Sequence, residues 1–443
     1  MDNQIIAKVQ FLQRQTASLL LYQSVFEGEV GEKFLLLLQT ILSTHTDTRS
    51  CLQAYGNYFK ALATANQNWE EYLIIRILRA DNPFTRIAQQ QKLENLPPAL
   101  IAAVQHDLQV LQSLYECSSA ELSEWVQGVA RLPMSPVIWY LEQDVVATNR
   151  ELALITKIQQ LENWADAVEH LANYHIQFGA GLFAEYQAFR WLEGEFIGIK
   201  HPDSVKLEEL VGYEAQKEAL LKNTEFLLAG QSALHILLYG SRGSGKSSLV
   251  KALLNEYAHR NLRLLELGKA GLKDLPEIVE KLRSQPQKFI VFVDDLSFEE
   301  DDDAFKALKV VLEGNLTARA QNVVVCATSN RRHLVREFFA DRPAPKDNDE
   351  VHAWDTMQEK LSFSDRFGLT LTFEPADQKT YLEIVRHLAA GIGINMTQKD
   401  LEYQALQWAT RHNGRSGRTA RQFIDYLGAN NAVFGLPEEN SEV

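Results

Sequence analysis

The run Gly240-Ser241-Arg242-Gly243-Ser244-Gly245-Lys246-Ser247 satisfies the spacing G-x-x-x-x-G-K-[ST]. It follows an apolar stretch, Ile236-Leu237-Leu238-Tyr239, and precedes a helical one from Ser248 to Glu256, which is the strand, loop and helix order that the spacing requires. Glycines allow successive main-chain N–H groups to turn toward phosphate oxygens, and a helix N-terminus adds partial positive charge. In that arrangement Lys246 is expected to reach the β- and γ-phosphates of ATP, the Ser247 hydroxyl to ligate Mg²⁺, and Ser248 to complete the phosphate contacts. With glycine near 7% of residues, coincidence would produce the pattern on the order of a few per cent of the time in such a chain, and the flanks reduce this further.

A second set of chemical groups follows the apolar run Phe289-Ile290-Val291-Phe292-Val293, which ends in Asp294-Asp295. A buried strand of this type delivers carboxylates to the C-terminal edge of a parallel sheet, where ligands bind. Asp294 is expected to hold Mg²⁺, and Asp295 to orient or deprotonate an attacking water, which needs a carboxylate within hydrogen-bond reach. The other reading, a cap on the next helix, applies more to Asp295 than to Asp294. The acidic run Glu299 to Asp303 is read as solvated and left out of the site. A further apolar run, Val323 to Ala327, ends in Thr328-Ser329-Asn330, where Asn taken alone is a turn residue.

These groups need a parallel sheet to bring them together. Candidate strands are His235 to Tyr239, Leu262 to Leu267, Phe289 to Val293, Val323 to Ala327 and Leu369 to Phe373, each about the length of a buried strand. From the change in texture near His201 they alternate with helical stretches, so residues 201–375 are expected to form an α/β nucleotide-binding domain. Residues 1–200 carry apolar positions at helical spacing and are expected to be all helical, with breaks at Gly28 and Gly31, Asp81-Asn82-Pro83, Pro97-Pro98 and Pro133 to Pro136. Residues 376–436, with helices over Lys379 to Ala390, Leu401 to Thr410 and Arg418 to Leu427, are expected to form a helical lid, and 437–443 an acidic tail.

Composition narrows the function class. The 443 residues are 46% hydrophobic and 23% charged, the balance of a globular chain of several domains. No apolar run approaches a bilayer span and no leader pattern opens the chain, so a cytoplasmic location without membrane partners is expected. Cys51, Cys117 and Cys326 are far apart and lack metal-ligand spacing, which points to buried thiols. The formal net charge of -14 disfavours sequence-independent binding of nucleic acid.

The phosphate loop, Asp294 to Phe298, Ala327 to Leu334 and Leu361 to Gly368 together resemble the AAA+ ATP-binding proteins catalogued as domain of unknown function 815. The resemblance runs over about Leu207 to Leu427, through Leu210-Val211-Gly212-Tyr213 and Leu312-Glu313-Gly314. It implies an AAA+ P-loop NTPase core, a five-stranded parallel sheet with flanking helices, between a helical N-terminal domain and a helical lid. It implies that Val211 and Gly212 place backbone beside the adenine, and that Asn330 is a sensor hydrogen-bonding the γ-phosphate or water. Arg366 would be an arginine finger reaching a neighbouring subunit, its other reading being a salt bridge to Asp365 or Glu359. Arg418, or Arg421 one turn later, would be a lid sensor. AAA+ proteins more often carry Glu where this chain has Asp295, and the shorter side chain predicts slow hydrolysis. Homo-oligomers, hexamers by family analogy, follow if Arg366 acts in trans.

Two functions compete at this point. An ATPase that remodels a protein or assembly would recognise its client through the helical first half. A nucleotide-gated switch or loader acting on nucleic acid or its complexes would use Arg331, Arg332, Arg336, Arg342 and the arginines from Arg411 to Arg421. The loop Gly268 to Leu272 lacks the aromatic-apolar-glycine signature of a threading pore, and no Asn-Lys-x-Asp segment selects guanine.

Overall fold

The computed structural model describes residues 3–43, 48–141, 149–297, 303–313, 318–330, 363–394, 396–412 and 414–434. The chain divides into two units, Met1–Glu185 and Tyr186–Val443.

The described part of the first unit is helical, as its 3.6-residue periodicity predicts. Its helices bury one core in which Phe34 stacks on Trp69, with ring centroids 3.9 Å apart, beside Tyr58 and Tyr72. Three of the expected breaks are helix starts. Gly28, at φ +107°, precedes the helix Glu29–Leu42, Asn82 caps Pro83–Ala88 by accepting from the Thr85 N–H, and Pro98 opens the helix ending at Tyr115. Gly31 lies inside the helix Glu29–Leu42 rather than at a break, at a position where a Cβ would come within 2.5 Å of the Phe26 backbone. Asp107 is fully buried and accepts the N–H groups of Leu20, Leu21 and Tyr22 at 2.9, 2.7 and 3.0 Å, satisfying main-chain donors that have left the first helix.

The second unit is built on a seven-stranded sheet. Its strands are β1 (Ala188–Leu192), β2 (Glu195–Ile199), β3 (Ile236–Gly240), β4 (Leu262–Glu266), β5 (Lys288–Val293), β6 (Val323–Ser329) and β7 (Leu369–Phe373). Their order is β2-β1-β4-β5-β6-β3-β7, parallel throughout except for the antiparallel β1–β2 pair. The five expected strands are present and lie side by side as the parallel run β4-β5-β6-β3-β7. β5 and β6 are nearly solid with buried Phe, Ile and Val, as central strands covered on both faces must be.

The first two strands correct the expectation that residues 1–200 are all helical and that the sheet has five strands. Glu193 and Gly194 both adopt positive φ, +51° and +87°, and join Leu192 to its partner Glu195 in a two-residue turn whose twist suits a hairpin. Ala188 then pairs in parallel with Leu264, so the hairpin extends the edge of the sheet beyond β4. Among the described residues no helix is long and apolar enough to cross a membrane.

Three helices follow β7, at Gln378–Gly391, Gln398–Arg411 and Gly417–Phe434. They share a small core of Tyr381, Val385, Ala405, Ala420, Phe423 and Ile424, against which Val211 also packs. The last helix runs further than Leu427, and the tail 437–443 lies outside the described residues.

Candidate nucleotide site

β3 ends at Gly240, where φ is +131° and a Cβ would fall 2.0 Å from the Phe373 carbonyl oxygen. The Ser241 N–H donates to that oxygen at 2.8 Å, tying the start of the loop to β7. Gly243 and Gly245 are left-handed, at +73° and +90°, and Gly245 opens the helix Lys246–Tyr257. The Lys246 Nζ donates to the carbonyl oxygens of Gly240 and Ser241 at 3.0 and 2.7 Å, so the loop curls around the ammonium. Burial holds the Lys246 pKa below its ordinary value; the charges of Asp294 and Asp295 oppose this and that of Arg418 adds to it.

Across the loop, β5 delivers Asp294. Its Oδ1 accepts from the Ser247 hydroxyl at 2.6 Å and from the Thr328 hydroxyl at 2.5 Å. Asp295 has left-handed φ, +51°, and its Oδ1 accepts from the Asn330 side-chain amide at 2.6 Å. The next described helix, Asp303–Glu313, starts well beyond Asp295, so this carboxylate does not cap it. Asn330 and Asp295, separated by 35 residues in sequence, are thus in direct contact. Of the acidic run, Glu299 to Asp302 lie outside the described residues.

These groups line a cavity of about 830 Å³, together with Arg242 to Ser248. The lining also includes the apolar side chains of Val205, Leu210, Val211, Ile384 and Leu388, together with Gly212. A concave space of this size with apolar and polar walls suits a small-molecule ligand such as a nucleotide. Gly212, at φ +84°, lets the chain pass close to the lid, since a Cβ there would lie 3.1 Å from Thr380.

Arg418 and Arg421 both line the cavity. The Arg418 N–H donates to the Gly243 carbonyl at 3.1 Å, and its side chain acts electrostatically on Lys246. The Arg421 Nη2 donates to Glu209 at 3.0 Å. Arg366 is placed elsewhere. It ends a short turn, Phe363–Arg366, pairs with Glu313 at 2.8 Å, and is not among the lining residues. Its ionic partner is therefore Glu313 at the end of a neighbouring helix, while Glu359 lies outside the described residues. Arg331, Arg332, Arg336, Arg342 and Gly314 lie outside them as well.

The donor set fits Mg²⁺. Among the described residues no group of three or more His, Cys, Asp or Glu could hold a metal by itself. Instead one hydroxyl and one carboxylate oxygen, hard ligands, converge beside the phosphate loop, and Mg²⁺ is ordinarily held by a carboxylate or two together with substrate phosphates and water.

Sequence reasoning missed Thr328, Glu209, Ile384, Leu388 and the segment Asp203-Ser204-Val205, all of which line the cavity. That segment is fixed by the Asn255 side chain, which donates to the Asp203 and Val205 carbonyls at 3.0 and 2.7 Å. The one local signal was Thr328, a polar residue closing an apolar strand two places before Asn330.

Replication factor C large subunit of Methanococcus maripaludis is 32% identical over 85 residues, 19% of this chain and 17% of that protein, so the chain spans about a sixth of this curated relative. The Thermotoga maritima RuvB Holliday junction branch migration motor is similar at 15% identity over 53% of this chain and 75% of that one, with a TM-score of 0.32. A mutant of RuvB aligns over the same shares at 17% identity and a TM-score of 0.35. The model of the family described as protein of unknown function (DUF815) matches residues 184–431, beginning where the second unit begins. As that match spans more than half of the chain, the protein belongs to the DUF815 family.

Proposed function

We propose that this chain is a Mg²⁺-dependent ATPase that couples nucleotide hydrolysis to remodelling of a protein or assembly. The observation that carries the reading is the convergence of the Lys246 ammonium, the Ser247 hydroxyl and the Asp294 carboxylate at the phosphate loop, in the cavity. ATP would place its phosphates over Gly243 to Ser248, where Lys246 exchanges loop carbonyls for phosphate oxygens. Ser247 and Asp294 would hold Mg²⁺, which would supply neutralisation of phosphate charge. Asp295 would accept a proton from the attacking water as the water oxygen bonds to the γ-phosphorus and the bond from that phosphorus to the bridging oxygen breaks, releasing ADP and inorganic phosphate. Asn330 holds Asp295 by its Oδ1 and would be available to the same water.

Arg366 fits a role outside its own subunit's site, because it stands away from the cavity and is held by an ion pair that a neighbour's phosphate could replace. This reading requires homo-oligomers, with a hexamer as the family analogue, and gives the helical first unit the task of recognising a protein client. A location in the cytoplasm accords with it.

One observation favours a second reading, a nucleotide-gated switch. Asp295 is engaged by Asn330 at 2.6 Å, which restrains the candidate base and suits slow turnover. Nucleic acid is the less favoured partner, since Arg421 is already bonded to Glu209 and Arg418 lines the cavity.

The test is steady-state ATP hydrolysis against protein concentration for the wild type, Lys246→Ala, Asp295→Asn and Arg366→Ala. Specific activity that rises with concentration and falls in all three variants supports the shared-site ATPase. Tight ATP binding without turnover supports the switch, and absence of ATP binding removes both.

A further inference from the structure

Thr328 stands on β6, between the strand that carries the phosphate loop and the strand that carries the two aspartates, and is 2% exposed. Its hydroxyl has one proton, which goes to the Asp294 Oδ1, and its oxygen accepts the main-chain N–H of Asp295 at 2.9 Å. Its carbonyl accepts the N–H of Leu296 at 2.7 Å. One residue thereby holds three consecutive residues at the end of β5, with the single proton of its hydroxyl committed to Asp294.

We propose that Thr328 is the positioning residue of the site, turning the Asp294 carboxylate toward Ser247 and holding Asp295 in the left-handed conformation that presents it to Asn330. This rests on the reading of the site as one for Mg²⁺ and ATP. The physical need is specific. Asp294 alone could rotate about its side chain, and the Ser247 hydroxyl that restrains it is also a metal ligand, so its hydrogen bonding changes when metal arrives. Thr328 is a second donor to the same Oδ1, comes from the neighbouring strand rather than from the loop, and keeps its hold in either state. Asp295 in turn occupies a left-handed region that is strained for a non-glycine residue and persists only when several bonds determine it. The N–H bond to Thr328 and the side-chain bond to Asn330 are those determinants.

The experiment compares full-length wild type with Thr328→Val, Thr328→Ser and Thr328→Ala. Valine keeps the shape and strand preference and removes the hydroxyl, serine keeps the hydroxyl, and alanine supplies a second hydroxyl-free variant should valine fail to fold. ATP affinity is measured calorimetrically in Mg²⁺ and in EDTA, with a thermal melt of each nucleotide-free protein as the check on folding. The expected result is that valine and alanine lose roughly ten-fold or more of the affinity measured in Mg²⁺, as loss of an outer partner of a metal ligand does, while affinity in EDTA is unchanged and serine behaves as wild type. Wild-type Mg²⁺ dependence in the valine and alanine variants overturns the assignment, as does an equal loss in EDTA, which marks a general structural lesion. A wild type that binds ATP without any Mg²⁺ effect, or does not bind it, overturns the reading of the site as well.

Discussion

The main-chain N–H of Arg418 donates to the carbonyl oxygen of Gly243 at 3.1 Å, so the first turn of the last lid helix rests directly on the phosphate loop. The contact is tight. A Cβ on Gly243 would meet the Ser416 hydroxyl at 2.9 Å and the Arg418 Cβ at 3.1 Å, and the residue is left-handed at φ +73°. A shift of either the loop or the lid is therefore felt by the other.

Gly243→Ala should separate the two. Left-handed strain of about 1–2 kcal/mol adds to the clash, which predicts a fall in ATP affinity on the order of ten-fold. Titration with a fluorescent ATP analogue measures the loss, and limited proteolysis should show the lid more accessible. Unchanged affinity would mean that the loop reaches its working shape without this contact.

The bond between Asn330 and Asp295 separates chemistry from binding. Asp295→Asn should lower kcat on the order of a hundred-fold or more, as loss of a general base does, with ATP affinity retained. Asn330→Ala leaves the Asp295 carboxylate in place but removes its amide partner, which is also the proposed contact to the water, and should lower kcat roughly ten-fold. Single-turnover hydrolysis with saturating ATP reads both. Loss of affinity instead of rate would place these residues in nucleotide binding.

Arg421 and Glu209 join the lid helix to a segment that lines the cavity, at 3.0 Å and with both side chains partly exposed. A partly exposed pair contributes modestly and is screened by salt. Arg421→Ala or Glu209→Gln should speed release of a fluorescent ADP about two- to five-fold at low salt, with the exchange Glu209→Arg/Arg421→Glu restoring slow release. Stopped-flow chase experiments at two salt concentrations give the comparison, and equal rates in all variants would show that the pair does not hold the lid.

Two buried histidines predict how stability depends on pH. Burial pushes the pKa of His175 in the first unit down to about 4, against the raising effect of the Gly179 carbonyl. His235 in the second unit is pushed down to about 3 by burial and by the Arg319 charge, and its Nδ1 accepts the Val325 N–H at 3.0 Å. Both are neutral when folded, whereas in the unfolded chain they protonate near pH 6.5. Their contribution is complete above that pH and is lost as pH falls from there toward the folded values, at up to about 1.4 kcal/mol per pH unit for each group. Chemical denaturation at pH 7.5 and 5 should show His235→Asn, whose Oδ1 can still accept from Val325, losing less stability on acidification than the wild type. A parallel loss would show that His235 does not stay neutral in the fold.

The phosphate loop was legible because everything it needs is local. Glycines, Lys246, Ser247 and the flanking strand and helix lie within one short stretch, and left-handed turns are written in residue type. Asp294 and Asn330 were legible for a related reason, as polar residues that end solidly apolar strands of a parallel sheet. Tertiary structure decided which side chains those strands bring into contact. The order β5-β6-β3 sets Thr328 against Asp294 across 34 residues of sequence, and the placement of the last helix sets Arg421 against Glu209 across 212. The hairpin β1–β2 carried its own turn signal at Glu193-Gly194, but its place beside β4 depends on which sheet edge remained to be covered. Local pattern specifies conformations that neighbouring residues enforce, whereas pairings between distant segments are selected by the burial of surfaces that exist only once the sheet has assembled.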